Sequence, residues 1–270
     1  MTRQQHTLKA PTGIALLAAV CGVVIFLPLG AVVARVPWGH FWSTLSSESS
    51  TSAMWLSLHT SFITTVLAIV TGLPLAWTLA HREFPLKSIV RAICVLPMVL
   101  PPVVGGVALL YAFGRRGVVG SILYDWFNIQ IAFTQSAAIL AQYFVAVPFF
   151  IVVMESAFEQ ADIRLTGAAR TLGARPWRTL LHVSLPSMKP ALIAAIALTW
   201  ARALGEFGAT ITFAGNSPGR TQTLPLAIYG SLENRDDGAL TLSFVMMAIS
   251  FSVLILLRQR WLGALRRGGV

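Results

Sequence analysis

Arg202 and Glu206 are the two charged residues in the apolar run 191–214, four positions apart and therefore on one face of a helix. A guanidinium and a carboxylate at that spacing have two uses in a medium of low dielectric. They neutralise each other as a structural pair, or they stand on a path taken by a charged solute. Charge inside a membrane is costly enough that function is the default reading. Thr199, Thr210, Thr212 and Asn216, on or beside the same run, add hydroxyl and amide donors.

The elements that must position these groups are membrane spans. The 270 residues are 56% hydrophobic and 11% charged, whereas a soluble domain carries about 25% charged residues. Apolar runs at 14–34, 53–80, 92–113, 135–154, 191–214 and 239–257 give six candidate spans in a single 1–270 domain, with a polar loop at 155–190. Arg3 and Lys9 precede the first run as they would in a signal peptide. That run exceeds the roughly 7–15 residues of a signal-peptide core, and is expected to be a retained helix.

The net charge of +10 raises nucleic acid as a partner, but the basic residues sit in short clusters between apolar runs. This is the pattern of orientation charge. With the N-terminus inside, fourteen Lys and Arg lie on one side and five on the other, which predicts both termini and the 155–190 loop on the cytoplasmic side of the membrane. Cys21 and Cys94 each lie within an apolar run and are expected to be packing residues rather than a disulfide.

Enzymatic chemistry has little support. There is no HExxH, no GxSxG and no glycine-rich loop ending in Lys-Ser or Lys-Thr, so no catalytic residue, metal site or cofactor is assigned and the chain is not itself an ATPase. His59 lies in a run without a second ligand at suitable spacing and reads as a hydrogen-bonded helix residue. Pro97, Pro101, Pro102, Gly105 and Gly106 crowd one span. Prolines there leave carbonyls unpaired, which is tolerated only against protein or a wet cavity, so the span lines a path or a packed interface.

The loop contains GAARTLGARPWRTLLHVSLP at 167–186. Asp162 is placed to cap a helix over 163–172, Gly173 to end it in the left-handed region, and Pro176 to start a second helix that Pro186 stops or bends. Small side chains at Gly167, Ala168 and Ala169 suit close contact with another protein. Trp177, Leu180 and Leu181 equally suit anchoring at a membrane interface, and an ordinary amphipathic loop lying on lipid headgroups is the simpler alternative.

Here the chain resembles the inner-membrane permease subunits of ATP-binding-cassette importers. Their signature is Glu-Ala-Ala, three residues, Gly, nine residues, Ile, one residue, Leu-Pro; this chain has Gly167-Ala168-Ala169, Gly173, Val183 and Leu185-Pro186, with both spacings intact. Gly167 replaces the glutamate and Val183 the isoleucine. LPMVLPPVVGG at 96–106, FGRRGVVG at 113–120 and ARALGEFGATITFAGNSPGRTQTLPLAIY at 201–229 look like molybdate permeases, and sulfate and tungstate permeases share much of GEFGA.

The resemblance implies an all-α, polytopic type I importer permease with six transmembrane helices and a cytoplasmic coupling-helix hairpin. It implies a coupling helix at 165–173, with Leu165, Gly167, Ala168, Ala169, Arg170, Gly173, Trp177, Leu185 and Pro186 as ATPase-coupling residues. Pro101, Pro102, Arg202, Glu206, Thr210, Thr212 and Asn216 are the expected translocation path. The implied partners are an ATP-binding-cassette ATPase subunit, an extracytoplasmic oxyanion-binding protein, a second copy of the chain and membrane lipid, with no nucleic acid. The nearest alternative to a molybdate importer subunit is a sulfate or tungstate importer subunit with the same mechanism; a passive anion channel or a membrane enzyme is the alternative of a different class.

Overall fold

The computed structural model describes residues 12–267, and the regular structure among them is helical. In order these are α1 (Thr12–Arg35), α2 (Phe41–Leu45), α3 (Glu48–His81), α4 (Lys87–Val99), α5 (Pro102–Phe113), α6 (Gly120–Phe127) and α7 (Gln135–Glu159). Then follow α8 (Ile163–Thr171), α9 (Pro176–Ser187), α10 (Lys189–Leu204), α11 (Gly208–Phe213), α12 (Leu224–Glu233) and α13 (Gly238–Arg267). Arg3 and Lys9, which enter the charge count, lie outside the described residues.

Four helices are long and apolar enough to cross a membrane: α1, α3, α7 and the 238–255 part of α13. Two bent pairs, α4 with α5 and α9 with α10, raise the number to as many as six.

The core is the α3–α7 contact, and small residues make it. Along α3 the buried positions of this contact include Thr64, Ala68, Gly72 and Ala76, about one per turn, so the backbones approach closely as they do between membrane helices. On α7 the partners are Gln142, Phe150, Ile151 and Met154, while Ala138, Ala141 and Val145 pack with α5 and α11. A Cβ on Gly72 would lie 3.0 Å from the Phe150 ring. The Thr64 hydroxyl donates across the seam to the Ile139 carbonyl at 3.1 Å, and Thr71 and Tyr143 share a hydrogen bond of 2.7 Å.

Two expected spans are broken rather than continuous. The run 92–113 is α4 and α5, bent by 117° at Leu100 and Pro101. Pro101 and Pro102 bring no N–H, and a residue before proline is driven out of the helical region. Leu100 and Pro101 accordingly have ψ of 138° and 130°. The run 191–214 is also two helices, because α10 stops at Leu204 and α11 starts at Gly208.

The two breaks meet. A Cβ on Gly208 would fall 2.7 Å from the Pro102 Cβ, and one on Gly106 would fall 2.7 Å from the Thr212 Cβ and 2.9 Å from the Ala209 carbonyl oxygen. The proline-rich segment is therefore a packed interface at Gly106, where nothing larger than hydrogen fits. Gly106→Ala should cost about 1–3 kcal/mol by overpacking against backbone. Gly105→Ala should cost less, because its Cβ would meet only the edge of the Phe144 ring at 3.1 Å. Thermal unfolding of the purified variants in detergent checks this, and an equal loss for both would refute the packing argument.

Candidate functional site

At the α10–α11 break, Arg202 Nη2 donates to Glu206 Oε2 at 2.7 Å, with the Glu206 side chain 1% exposed and that of Arg202 26% exposed. The other carboxylate oxygen, Glu206 Oε1, accepts from the Ala209 backbone N–H at 2.8 Å. The expected pairing forms, but not on one continuous helix: Glu206 lies beyond the end of α10 and caps the start of α11. A buried carboxylate is thus matched on both oxygens, by a guanidinium and by an amide that the broken helix leaves free.

The other residues expected on a path lie on or beside α5, α10 and α11. Thr210 and Thr199 are fully buried, and neither hydroxyl has a hydrogen-bond partner among the described residues; the same is true of Asn216 Oδ1. Thr212 differs, since its hydroxyl donates to the Gly208 carbonyl at 2.8 Å within α11. Pro102 packs on Gly208, and Pro101 is exposed at the opposing break. The structure therefore brings the charge pair to one of two helix breaks that pack on each other.

The hairpin lies at the other end of α10. Asp162 caps α8 by accepting from the Arg164 N–H at 2.9 Å. Gly173 has φ of +78°, and the Gly173 and Ala174 amides donate back to the Arg170 and Ala169 carbonyls at 2.9 and 3.0 Å, closing the helix end. Leu165, Gly167, Ala168 and Arg170 are exposed and Ala169 is half-buried; a Cβ on Gly167 would meet nothing within 4 Å.

Pro186 does not stop the second helix. The backbone widens into a π-helical stretch at Leu180–Ser184, which accommodates the missing N–H, and the helix runs on through half-buried Leu185 and exposed Pro186 to Ser187. The turn of 85° into α10 comes at Met188 instead. Trp177, 61% exposed, sits in the first turn of α9.

One charged cluster has no signal in local spacing. Arg91 on α4 donates through Nε to Glu155 Oε1 at 2.8 Å and through Nη2 to both Glu155 and, at 3.0 Å, Glu159. Glu155 is buried, so this joint ties α4 to the end of α7 just before the hairpin. Arg91 and Glu155 lie 64 positions apart, which is why no motif exposes them. His59 faces Gln135 Nε2 at 3.0 Å and stacks on Trp55, a hydrogen-bonded helix residue.

Arg202→Ala should cost at the lower end of about 3–5 kcal/mol, because a lone carboxylate is left buried. Adding Glu206→Gln should recover most of that loss, since the amide oxygen still accepts from Ala209 while the unpaired charge disappears. Chemical or thermal unfolding of the single and double variants checks this, and additive losses would show that the pair is not mutually supporting.

Residues 68–268 match the family model described as the binding-protein-dependent transport system inner membrane component. The Mycobacterium bovis "Molybdenum transport system permease protein ModB" is 42% identical over 88% of this chain and 90% of its own length. The Escherichia coli (strain K12) protein of that name is 39% identical over 80% and 94%. The "Sulfate transport system permease protein CysT" of the same strain is 33% identical over 86% and 85%. Among solved structures, a chain of a bacterial ABC transporter involved in the import of the acidic polysaccharide alginate superposes with a TM-score of 0.71, covering 92% of this chain and 94% of that one at 17% identity. The fold is that of a type I ABC importer permease, and the chain belongs to the family of inner-membrane components of binding-protein-dependent transport systems.

Proposed function

We propose that this chain, working as a pair, moves molybdate across the cytoplasmic membrane, driven by an ATPase docked on α8 and supplied by an extracytoplasmic binding protein. The observation that carries the substrate reading is the greater likeness to the molybdenum permeases than to the sulfate permease, over most of both chains. The asymmetry of basic residues supports an orientation with both termini and the hairpin on the cytoplasmic side.

The chemistry of the breaks fits a passage rather than a trap. A doubly negative tetrahedral ion bound by free arginines would be released slowly. Here the guanidinium of Arg202 is already neutralised by Glu206, and Thr199, Thr210 and Asn216 offer polar atoms without net charge. Selectivity and affinity then belong to the binding protein, while the permease supplies a route. Power enters through α8, whose exposed Gly167 and Ala168 leave room for a partner surface.

Uptake into proteoliposomes holding permease, ATPase and binding protein should be competed by molybdate and tungstate and weakly by sulfate. Sulfate competing as well as molybdate would instead favour a sulfate importer, and flux through the permease alone would favour a channel.

Gly173→Val tests the coupling role separately. Positive φ costs a β-branched residue about 1–2 kcal/mol, and a Cβ there meets nothing within 4 Å, so the damage is confined to the backbone turn. The variant should insert and form its dimer yet lose ATPase association or uptake. Gly167→Glu, placed in equally open space, should retain both. Normal association and uptake in the Gly173→Val protein would remove the hairpin from the energy path.

A further inference from the structure

Two recesses adjoin on the second helix of the hairpin, and their linings differ in chemistry. The first, about 350 Å³, lies between α3 and α9 and is lined by Pro74, Trp77, Thr78, Pro176, Trp177 and Leu180. Its one hydroxyl is spent, since Thr78 donates to the Pro74 carbonyl at 2.8 Å. The second, about 560 Å³, is lined by Gly173, Arg175, Trp177, Arg178, Leu181 and His182. Trp177 is common to both, so an apolar slot opens beside a basic one.

The position in the fold fits a bilayer surface. At 34 residues α3 is about 51 Å long, which exceeds the roughly 30 Å hydrocarbon core, so its last turns reach the headgroup level. Trp77 stands in those turns, stacked on His81, which meets Phe158 edge-on at 5.7 Å. Aromatic side chains gather at this depth. Arg175 and Arg178 form no ion pair among the described residues. Their guanidinium groups are exposed and free to bind phosphate oxygens.

We propose that the paired recesses form one binding site for an anionic phospholipid, with an acyl chain against Trp77 and Trp177 and its phosphate on Arg175 and Arg178. The site requires only that the chain spans a membrane, and is independent of the ion carried. It assigns α9 to the lipid surface and leaves α8 for the partner protein. A polar or acidic protein segment would match the basic recess but would leave the apolar slot empty, which is why lipid is the occupant.

Native mass spectrometry of the purified full chain, with phosphatidylglycerol or phosphatidylcholine added, tests the site. Wild-type protein should retain phosphatidylglycerol preferentially, and Arg175→Gln with Arg178→Gln should weaken that preference about tenfold or more. Thr78→Trp, which fills the apolar slot from α3, should lower retention of both lipids and leave the residual preference intact. Unchanged phosphatidylglycerol preference in the double variant, or unchanged retention in Thr78→Trp, overturns the proposal. So does a double variant that keeps its lipid but no longer binds the ATPase, because the basic recess then belongs to that partner. Neither ATP hydrolysis nor ion uptake enters the lipid readout, so failure of this site and failure of the transport reading are separable.

Discussion

A peptide group inside a bilayer has no water to bind, so every break in a spanning helix must be closed by another part of the chain. That constraint shapes the centre of this protein. Proline at 101 and 102 ends α4, and the turn at Gly205–Phe207 ends α10; each leaves backbone groups that the helix no longer serves. The structure answers by packing break against break. Pro102 lies on Gly208, Gly106 admits Ala209 and Thr212, and the Glu206 carboxylate takes the Ala209 amide. The glycines follow from this contact, because a Cβ at either position would collide with backbone or with a neighbouring Cβ.

The ion pair is a product of the same constraint. A carboxylate buried to 1% exposure is costly unless it is paired and hydrogen-bonded, and here Arg202 takes one oxygen and the Ala209 amide the other. Arg202 and Glu206 thus hold the break together whatever passes beside them. The structural role of the pair therefore needs nothing beyond this geometry, and the fully buried hydroxyls of Thr199 and Thr210 stand near it in sequence without a hydrogen-bond partner among the described residues.

How much of this was legible depended on whether the signal was local. The spacing of Arg202 and Glu206 announced their contact, and the capping residues Asp162 and Gly173 announced the hairpin, since each acts within a few positions. The break between α10 and α11 was hidden because GEFG carries no proline, and its stability comes from α5, about a hundred positions earlier. Pro186 misled for a related reason: a π-helical turn absorbs the lost N–H, so the expected stop moves to Met188. Arg91 with Glu155 and Glu159 could not be read at all, because folding alone joins them.

The hairpin has a short covalent route to the breaks. From α8 the chain turns at Gly173, continues through α9, and meets α10 at the single corner residue Met188. α10 is 16 residues, about 24 Å, of helix without internal proline beyond its first turn, and it ends beside the Arg202–Glu206 pair. At the hairpin end α7 is clamped to α4 by Arg91, and α4 leads to the Pro101–Pro102 break. One helix therefore reaches each break from the hairpin end. The ends of these two helices converge where α5 and α11 touch. With glycine at 106 and 208, α5 and α11 meet through backbone and the Cβ atoms of Pro102 and Thr212, with little flexible side chain between them to absorb a tilt.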